Sequence, residues 1–167
     1  MRALVLGMLA LLVSACTGIP QGHQVVRPFY LDRYLGTWYE IARLDHGFER
    51  GLNRVTATYS LRDDGGVRVI NRGQEPDGSW REAEGRAYFL GAKDEGRLKV
   101  SFFGPFYGSY NVLATDYELA LVSSYNLQYL WILSRTPEPP DAGVQALIAR
   151  ARALGFDTNA LIRVSQR

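Results

Sequence analysis

From residue 36 to residue 135 the chain is a succession of short runs in which apolar and polar residues alternate, separated by glycine, aspartate and asparagine. A period of two marks a strand with one face buried. Eight such runs stand out, at 37–44, 55–61, 67–71, 81–90, 97–103, 109–115, 119–124 and 129–135. Their regular spacing, with turns such as Arg62-Asp63-Asp64-Gly65-Gly66, predicts antiparallel up-and-down pairing rather than βαβ units.

One segment changes period. After Pro137-Glu138-Pro139-Pro140, Asp141 offers an N-cap, and Val144, Leu147, Ile148, Ala151 and Leu154 recur at helical spacing up to a stop at Gly155. The apolar stripe of this helix must pack on something, and the outer wall of a barrel is the expected partner. A last run, 160–164, adds an edge strand. No internal repeat or second domain is visible. Eight strands and one late helix fit either a closed barrel or a sandwich with an appended helix.

Composition narrows the partners. The 167 residues carry 19 basic and 17 acidic side chains, a net charge of +2, which gives nucleic-acid binding no electrostatic support. The aromatic share of 12% is richer than a polar surface needs, so the rings must line a core or a cavity.

The N-terminus carries a separate signal. Met1 and Arg2 precede an apolar run over 3–13, broken by Gly7 and shorter than the ~20 residues that span a bilayer. Residues 1–15 therefore read as a secretory signal. Val13-Ser14-Ala15-Cys16 resembles the lipobox of bacterial lipoproteins. That resemblance implies a diacylglycerol on the Cys16 sulfur, cleavage just before it and acylation of its amine, giving a stable membrane anchor. Thr17 stands where an aspartate would suggest inner-membrane retention, so the expected place is the outer membrane, with the domain facing the periplasm. Residues 16–29, with two prolines, would then be the acylated N-terminus and a flexible tether, and 30–167 the folded domain. With Cys16 acylated, no cysteine remains for a disulfide.

Three ordered motifs decide the architecture. They are Gly36-Thr37-Trp38 at the start of the first strand, Thr115-Asp116-Tyr117 between the sixth and seventh, and Arg135 just beyond the eighth. Together with the stretches 36–52, 55–66, 99–112 and 129–137, they make residues 30–164 resemble the bacterial outer-membrane lipocalins, relatives of apolipoprotein D. The resemblance implies an all-β fold: an eight-stranded antiparallel up-and-down β-barrel with one C-terminal α-helix packed outside. It also implies that Gly36 lets the chain turn under the barrel, Trp38 plugs the closed end and Arg135 lies across the indole. These are fold-holding roles.

A cavity would be lined by inward-facing side chains. If Arg135 sits under the barrel, parity turns Leu133 and Trp131 inward, and groups Tyr110, Val112 and Ala114 on the sixth strand. It likewise groups Val55, Ala57 and Tyr59 on the second and Val67, Val69 and Asn71 on the third. Alignment with apolipoprotein D implies pocket positions at Tyr59, Asn71, Tyr110 and Trp131. The expected ligand-binding set is Tyr59, Val69, Asn71, Tyr110, Val112 and Trp131. The alternative is a barrel filled by its own side chains. The family topology puts loops 46–54, 72–80, 104–108 and 125–128 at the open end. There Arg50 and Arg54 are candidates for an anionic head group, and Phe106 and Tyr107 for an aromatic lip.

No catalytic apparatus shows. His23 and His46 lack a nucleophilic partner, and His46 after Asp45 reads as a surface pair. There is no G-x-S-x-G elbow, metal-ligand spacing or phosphate-binding glycine loop, so neither a cofactor nor a metal is expected. The reading is a non-enzymatic lipoprotein that carries or stores a fatty acid or lysophospholipid, in envelope maintenance or stress survival. The alternatives are a structural envelope lipoprotein acting through protein partners, or a cryptic lipid enzyme. Relatives can dimerise, and homodimer formation stays open.

Overall fold

The computed structural model describes residues 16–167; the signal segment, residues 1–15, lies outside the described residues. A single turn of helix, α1 (Leu31–Tyr34), precedes the strands β1 (Gly36–Leu44), β2 (Asn53–Leu61), β3 (Val67–Gln74) and β4 (Trp80–Phe89). Then come β5 (Arg97–Phe103), β6 (Phe106–Thr115), β7 (Leu119–Ser123) and β8 (Leu130–Ser134). Each strand pairs antiparallel with the next, and β1 pairs with both β8 and β2, so eight strands close into a barrel without a free edge. Helix α2 (Asp141–Ala153) and the short strand β9 (Leu161–Arg163) complete the chain. β9 pairs with β1 at Ala42–Leu44, beyond the stretch Gly36–Tyr39 that β2 occupies.

Two irregularities decide which residues face inward. The β1–β8 register slips between Glu40 and Ala42, and the β6–β7 register slips between Val112 and Ala114. Each extra residue reverses the inside-outside parity of the remainder of its strand. Trp38 and Glu40 face in, Ile41 and Ala42 face out, and Arg43 is buried again on the inner side. On β6, Val112 faces in while Leu113 and Ala114 both pack outward, which corrects the grouping of Ala114 with Tyr110.

The buried apolar residues therefore form two layers. One lies inside the barrel, around Trp38, Tyr59, Val69, Val122 and Leu133. The other lies between the wall and α2, where Leu113, Leu121 and Ile132 meet Val144, Leu147, Ile148 and Ala151. α2 approaches β7 so closely at Gly143 that an added Cβ would stand 2.6 Å from Leu119 Cδ1. Asp141 belongs to the first turn of α2 rather than capping it: Pro140 occupies the cap position, and the Asp141 carboxylate meets Arg163 at 3.3 Å.

The segment expected to be a tether is laid on the barrel. Phe29 N–H donates to Asp94 O, Val26 N–H to Val112 O, and Gly96 N–H to Val26 O, at 2.8–2.9 Å. Further up, His23 Nε2 meets Leu154 O at 2.7 Å, Asn111 Nδ2 donates to Gly18 O, and Ser109 N–H donates to Cys16 O at 2.8 Å. Pro20 is buried, and Cys16 itself is exposed. β7 ends at Ser123, opposite Asn111, so the backbone of β6 beyond that point is free to take Cys16 as a partner.

Candidate functional site: a cavity closed at one end

The interior is hollow, with a volume of about 710 Å³, inside the range of about 300–1,000 Å³ usual for small-molecule sites. The filled-barrel alternative does not describe it. Its walls are Val55, Ala57, Val67, Val69, Ala87, Leu98, Val100, Phe102, Val122 and Leu133, with Phe29, Leu31 and Tyr34 beneath.

The floor is built by the three short motifs. Trp38 is fully buried and donates its indole N–H to Tyr34 O at 2.8 Å, tying β1 to α1. The Arg135 guanidinium lies over the indole at 4.0 Å and donates to Arg33 O at 2.7 Å and Thr37 O at 3.1 Å. Gly36 has φ +96, and a Cβ there would stand 3.3 Å from the Arg135 guanidinium, so both backbone and space call for glycine. In the β6–β7 turn, Thr115 Oγ1 accepts from Tyr117 N–H, and Asp116 Oδ1 accepts from the N–H groups of Glu118 and Leu119. That turn aims Tyr117 at Phe29 and under the Arg33 guanidinium.

Above the floor, Tyr110 Oη lies 2.8 Å from Tyr34 Oη and 2.9 Å from Tyr59 Oη. Burial pushes all three hydroxyls up from the ordinary tyrosine value, so they stay neutral and satisfy one another. The deep part of the cavity thus presents ring faces and methyl groups to whatever enters.

The upper part is different in kind. Arg43 donates to Glu40 Oε1 at 2.9 Å and to the backbone carbonyl of Glu49 at 2.8 Å. Trp131 Nε1 donates to Glu49 Oε2 at 2.9 Å. His46 Nε2 stands 2.8 Å from the same oxygen but out of line for a hydrogen bond, so the contact is an ion pair by distance. Burial, then the neighbouring Glu49 charge, lifts the Glu40 carboxyl well above the ordinary value. Burial pushes Glu49 upward too, but the bonds and charges of His46, Trp131 and Arg43 outweigh it and hold that carboxyl below the ordinary range. The pair therefore holds one proton on Glu40 and one negative charge on Glu49.

Among the residues expected to bind ligand, Tyr59, Val69, Asn71, Tyr110 and Trp131 line the cavity. Val112 is fully buried in the interior layer and does not reach the cavity surface. Phe106 lines the rim, whereas Tyr107, its neighbour on a period-two strand, points outward, where its hydroxyl accepts from Arg86 and its ring meets Lys99. Neither Arg50 nor Arg54 lines the cavity. Arg50 is turned outward onto Asp45 at 2.8 Å, and Arg54 is exposed where β2 leaves the loop. The arginines on the cavity wall are Arg72, stacked at 4.0 Å over Trp80, and Arg81, which donates to Phe48 O. His46 is buried against Phe48 rather than paired at the surface.

Sequence reasoning misses the buried cluster Glu40, Arg43, His46 and Glu49. Glu40 has a usable signal, since it lies two residues beyond Trp38 and shares its face. Arg43 has none, because the intervening bulge reverses the count. Leu98, Val100 and Phe102 on β5 alternate cleanly and are within reach of the same parity argument. Among the described residues no group of acidic, histidine and cysteine side chains is placed to hold a metal.

A closed up-and-down barrel with an arginine-backed tryptophan floor, a late outer helix and one apolar hollow defines a binding protein of the lipocalin type. Residues 29–166 match the lipocalin-like domain, and the chain belongs to that family of binding proteins, which are not enzymes. It is 58% identical to the outer membrane lipoprotein Blc of Escherichia coli K12 over 162 residues, covering 94% of this chain and 92% of the relative. It is 52% identical to the protein of the same name from Vibrio cholerae over 171 residues, covering all of both. Among solved structures, the cockroach allergen Per a 4 superposes with a TM-score of 0.70 over 89% of this chain and 95% of the other. At 18% identity that likeness speaks to the fold alone.

Proposed function

We propose that the protein is an outer-membrane lipoprotein that carries or stores a single-chain lipid, a fatty acid or lysophospholipid, in envelope maintenance or stress survival. The observation that carries this reading is the one-ended apolar cavity of about 710 Å³. An acyl chain entering it displaces water from ring and methyl surfaces, at about 25 cal/mol per Å² of apolar area covered. The head group remains at the upper end, where Arg72 and Arg81 offer guanidinium groups to a carboxylate or phosphate. The names of the close bacterial relatives, outer membrane lipoprotein, support the acyl anchor at Cys16 and a barrel in the periplasm.

Displacement of a fluorescent fatty acid tests the reading. Micromolar or tighter binding is expected for long-chain fatty acids and lysophospholipids. Ala57→Trp, which fills the hollow from its wall, is expected to lower affinity at least tenfold while the far-ultraviolet spectrum stays that of a β-barrel. Absence of binding to the unmodified cavity rules the carrier out and leaves a structural envelope role acting through protein partners.

A further inference from the structure

The large apolar side chains left exposed are concentrated at one end of the barrel. The four connections at the open end are 45–52, 75–79, 104–105 and 124–129. Phe48 lies in the first, Trp80 closes the second, Phe103 and Phe106 flank the third, and Leu127 lies in the fourth. Phe103 and Phe106 are 82% and 78% exposed, and Phe48 is 57% exposed. Each mouth connection thus contributes an apolar side chain to a continuous rim, and an exposed apolar rim of this kind marks a contact surface.

Charge has the opposite distribution. The floor connections 62–66, 90–96 and 116–118 hold Asp63, Asp64, Asp94, Glu95, Asp116 and Glu118 against Arg62 and Lys93. The mouth connections 104–105 and 124–129 hold no charged residue at all. An anionic membrane surface would repel the floor and accept the rim.

The N-terminal segment adds the decisive constraint. Because Cys16 is bonded to Ser109 rather than hanging on a free tether, its position on the barrel is fixed. Ser109 is only three residues from Phe106, about 10 Å along β6 toward the mouth. Acyl chains on Cys16 would therefore enter the bilayer beside the rim, with no slack to let the barrel turn over.

We propose that the barrel stands mouth-down on the membrane, its rim of Phe48, Trp80, Phe103, Phe106 and Leu127 set into the leaflet that holds the Cys16 acyl chains. A lipid then passes between bilayer and cavity without crossing water. The proposal rests on the acylated Cys16 and the cavity of the proposed function.

The test uses the acylated full-length protein in vesicles of phosphatidylethanolamine and phosphatidylglycerol. An intact mass taken first shows whether Cys16 is acylated. An unmodified Cys16 overturns both the anchor and the orientation, whereas an acylated one leaves orientation as the only question. Since the acylated Cys16 has no free thiol, a nitroxide can be placed on Phe103→Cys, Leu127→Cys and, at the floor, Asp63→Cys. Collisions with oxygen are expected to exceed those with a water-soluble nickel chelate several-fold more at 103 and 127 than at 63. Equal aqueous exposure at all three positions, or insertion of position 63, overturns the proposal. Shielding of 103 and 127 from both reagents, in a particle of dimer mass, assigns the rim to a second copy and overturns it as well. As an independent readout, Leu127→Glu is expected to slow transfer of a fluorescent fatty acid from vesicles about tenfold, with affinity in solution unchanged; an unchanged transfer rate counts against the proposal.

Discussion

The guanidinium of Arg135 lies 4.0 Å from the centre of the Trp38 indole ring while two of its nitrogens donate to the backbone carbonyls of Arg33 and Thr37. One side chain from the end of β8 therefore fixes three things: the tryptophan that plugs the barrel, the first residues of β1 and the helical turn beneath them. Arg135→Ala is expected to lower the unfolding free energy by about 2 kcal/mol, from the loss of charged hydrogen bonds and the cation–π contact at a partly exposed site. Arg135→Lys should recover less than half, because an ammonium cannot make the forked contact. Urea unfolding at neutral pH measures both. Equal stability of Lys and Ala variants would mean that the fork geometry is irrelevant.

Tyr110 serves two hydroxyls at once, those of Tyr34 and Tyr59. Tyr110→Phe leaves both without this partner in a buried place, and a cost of about 2 kcal/mol is expected. In a chain of this size that is a drop of about 4–8 °C in melting temperature. Differential scanning calorimetry checks it, and a melting point within 1 °C of the parent (roughly 0.3 kcal/mol on the same scale) would place the hydroxyl network outside the stability balance.

The Glu40–Glu49 pair gives stability a pH dependence with a definite sign. Burial raises the folded-state value of Glu40 above the ordinary 4.5, so the unfolded chain loses that proton first. Stability therefore falls as pH rises from about 4.5 toward the raised value, by up to about 1.4 kcal/mol per pH unit for one proton. Glu49, held low, acts oppositely, and its contribution is lost only as pH falls below 4.5. Glu40→Gln should flatten the decline above pH 4.5 while leaving the acid limb intact. Urea midpoints from pH 3 to pH 8 would show it, and parallel curves for the two proteins would sink the assignment of the proton to Glu40.

The arginines that matter for a head group are those on the cavity wall. Arg72→Ala with Arg81→Ala is expected to weaken lysophospholipid binding about tenfold and a neutral monoacylglycerol much less, as the loss of a charged hydrogen bond of about 1.5–3 kcal/mol implies. Arg50→Ala and Arg54→Ala, lying off the cavity, should leave both ligands unaffected. Calorimetric titration of the four variants separates these outcomes.

The sequence by itself determined the strands in order, the outer helix and the three floor motifs. These features are local: a period of two or of 3.6 is written into successive side chains, and motifs such as Gly36-Thr37-Trp38 are read without knowing what packs on them. Parity also reached Tyr59, Asn71, Tyr110 and Trp131 correctly, because no bulge intervenes between each and its reference residue. Only the tertiary structure decided the rest. The slips at Glu40/Ala42 and Val112/Ala114 arise from pairing with neighbouring strands, and they turned Arg43 inward and Ala114 outward. His46 and Glu49 are polar residues in a loop whose burial depends on Trp131, 82 residues away from Glu49 in sequence. Residues 16–29 look like a tether because they have no periodicity of their own. Their order comes from the open backbone of β6 and from Asp94, Gly96 and Val112, partners that exist beside them only once the barrel has closed.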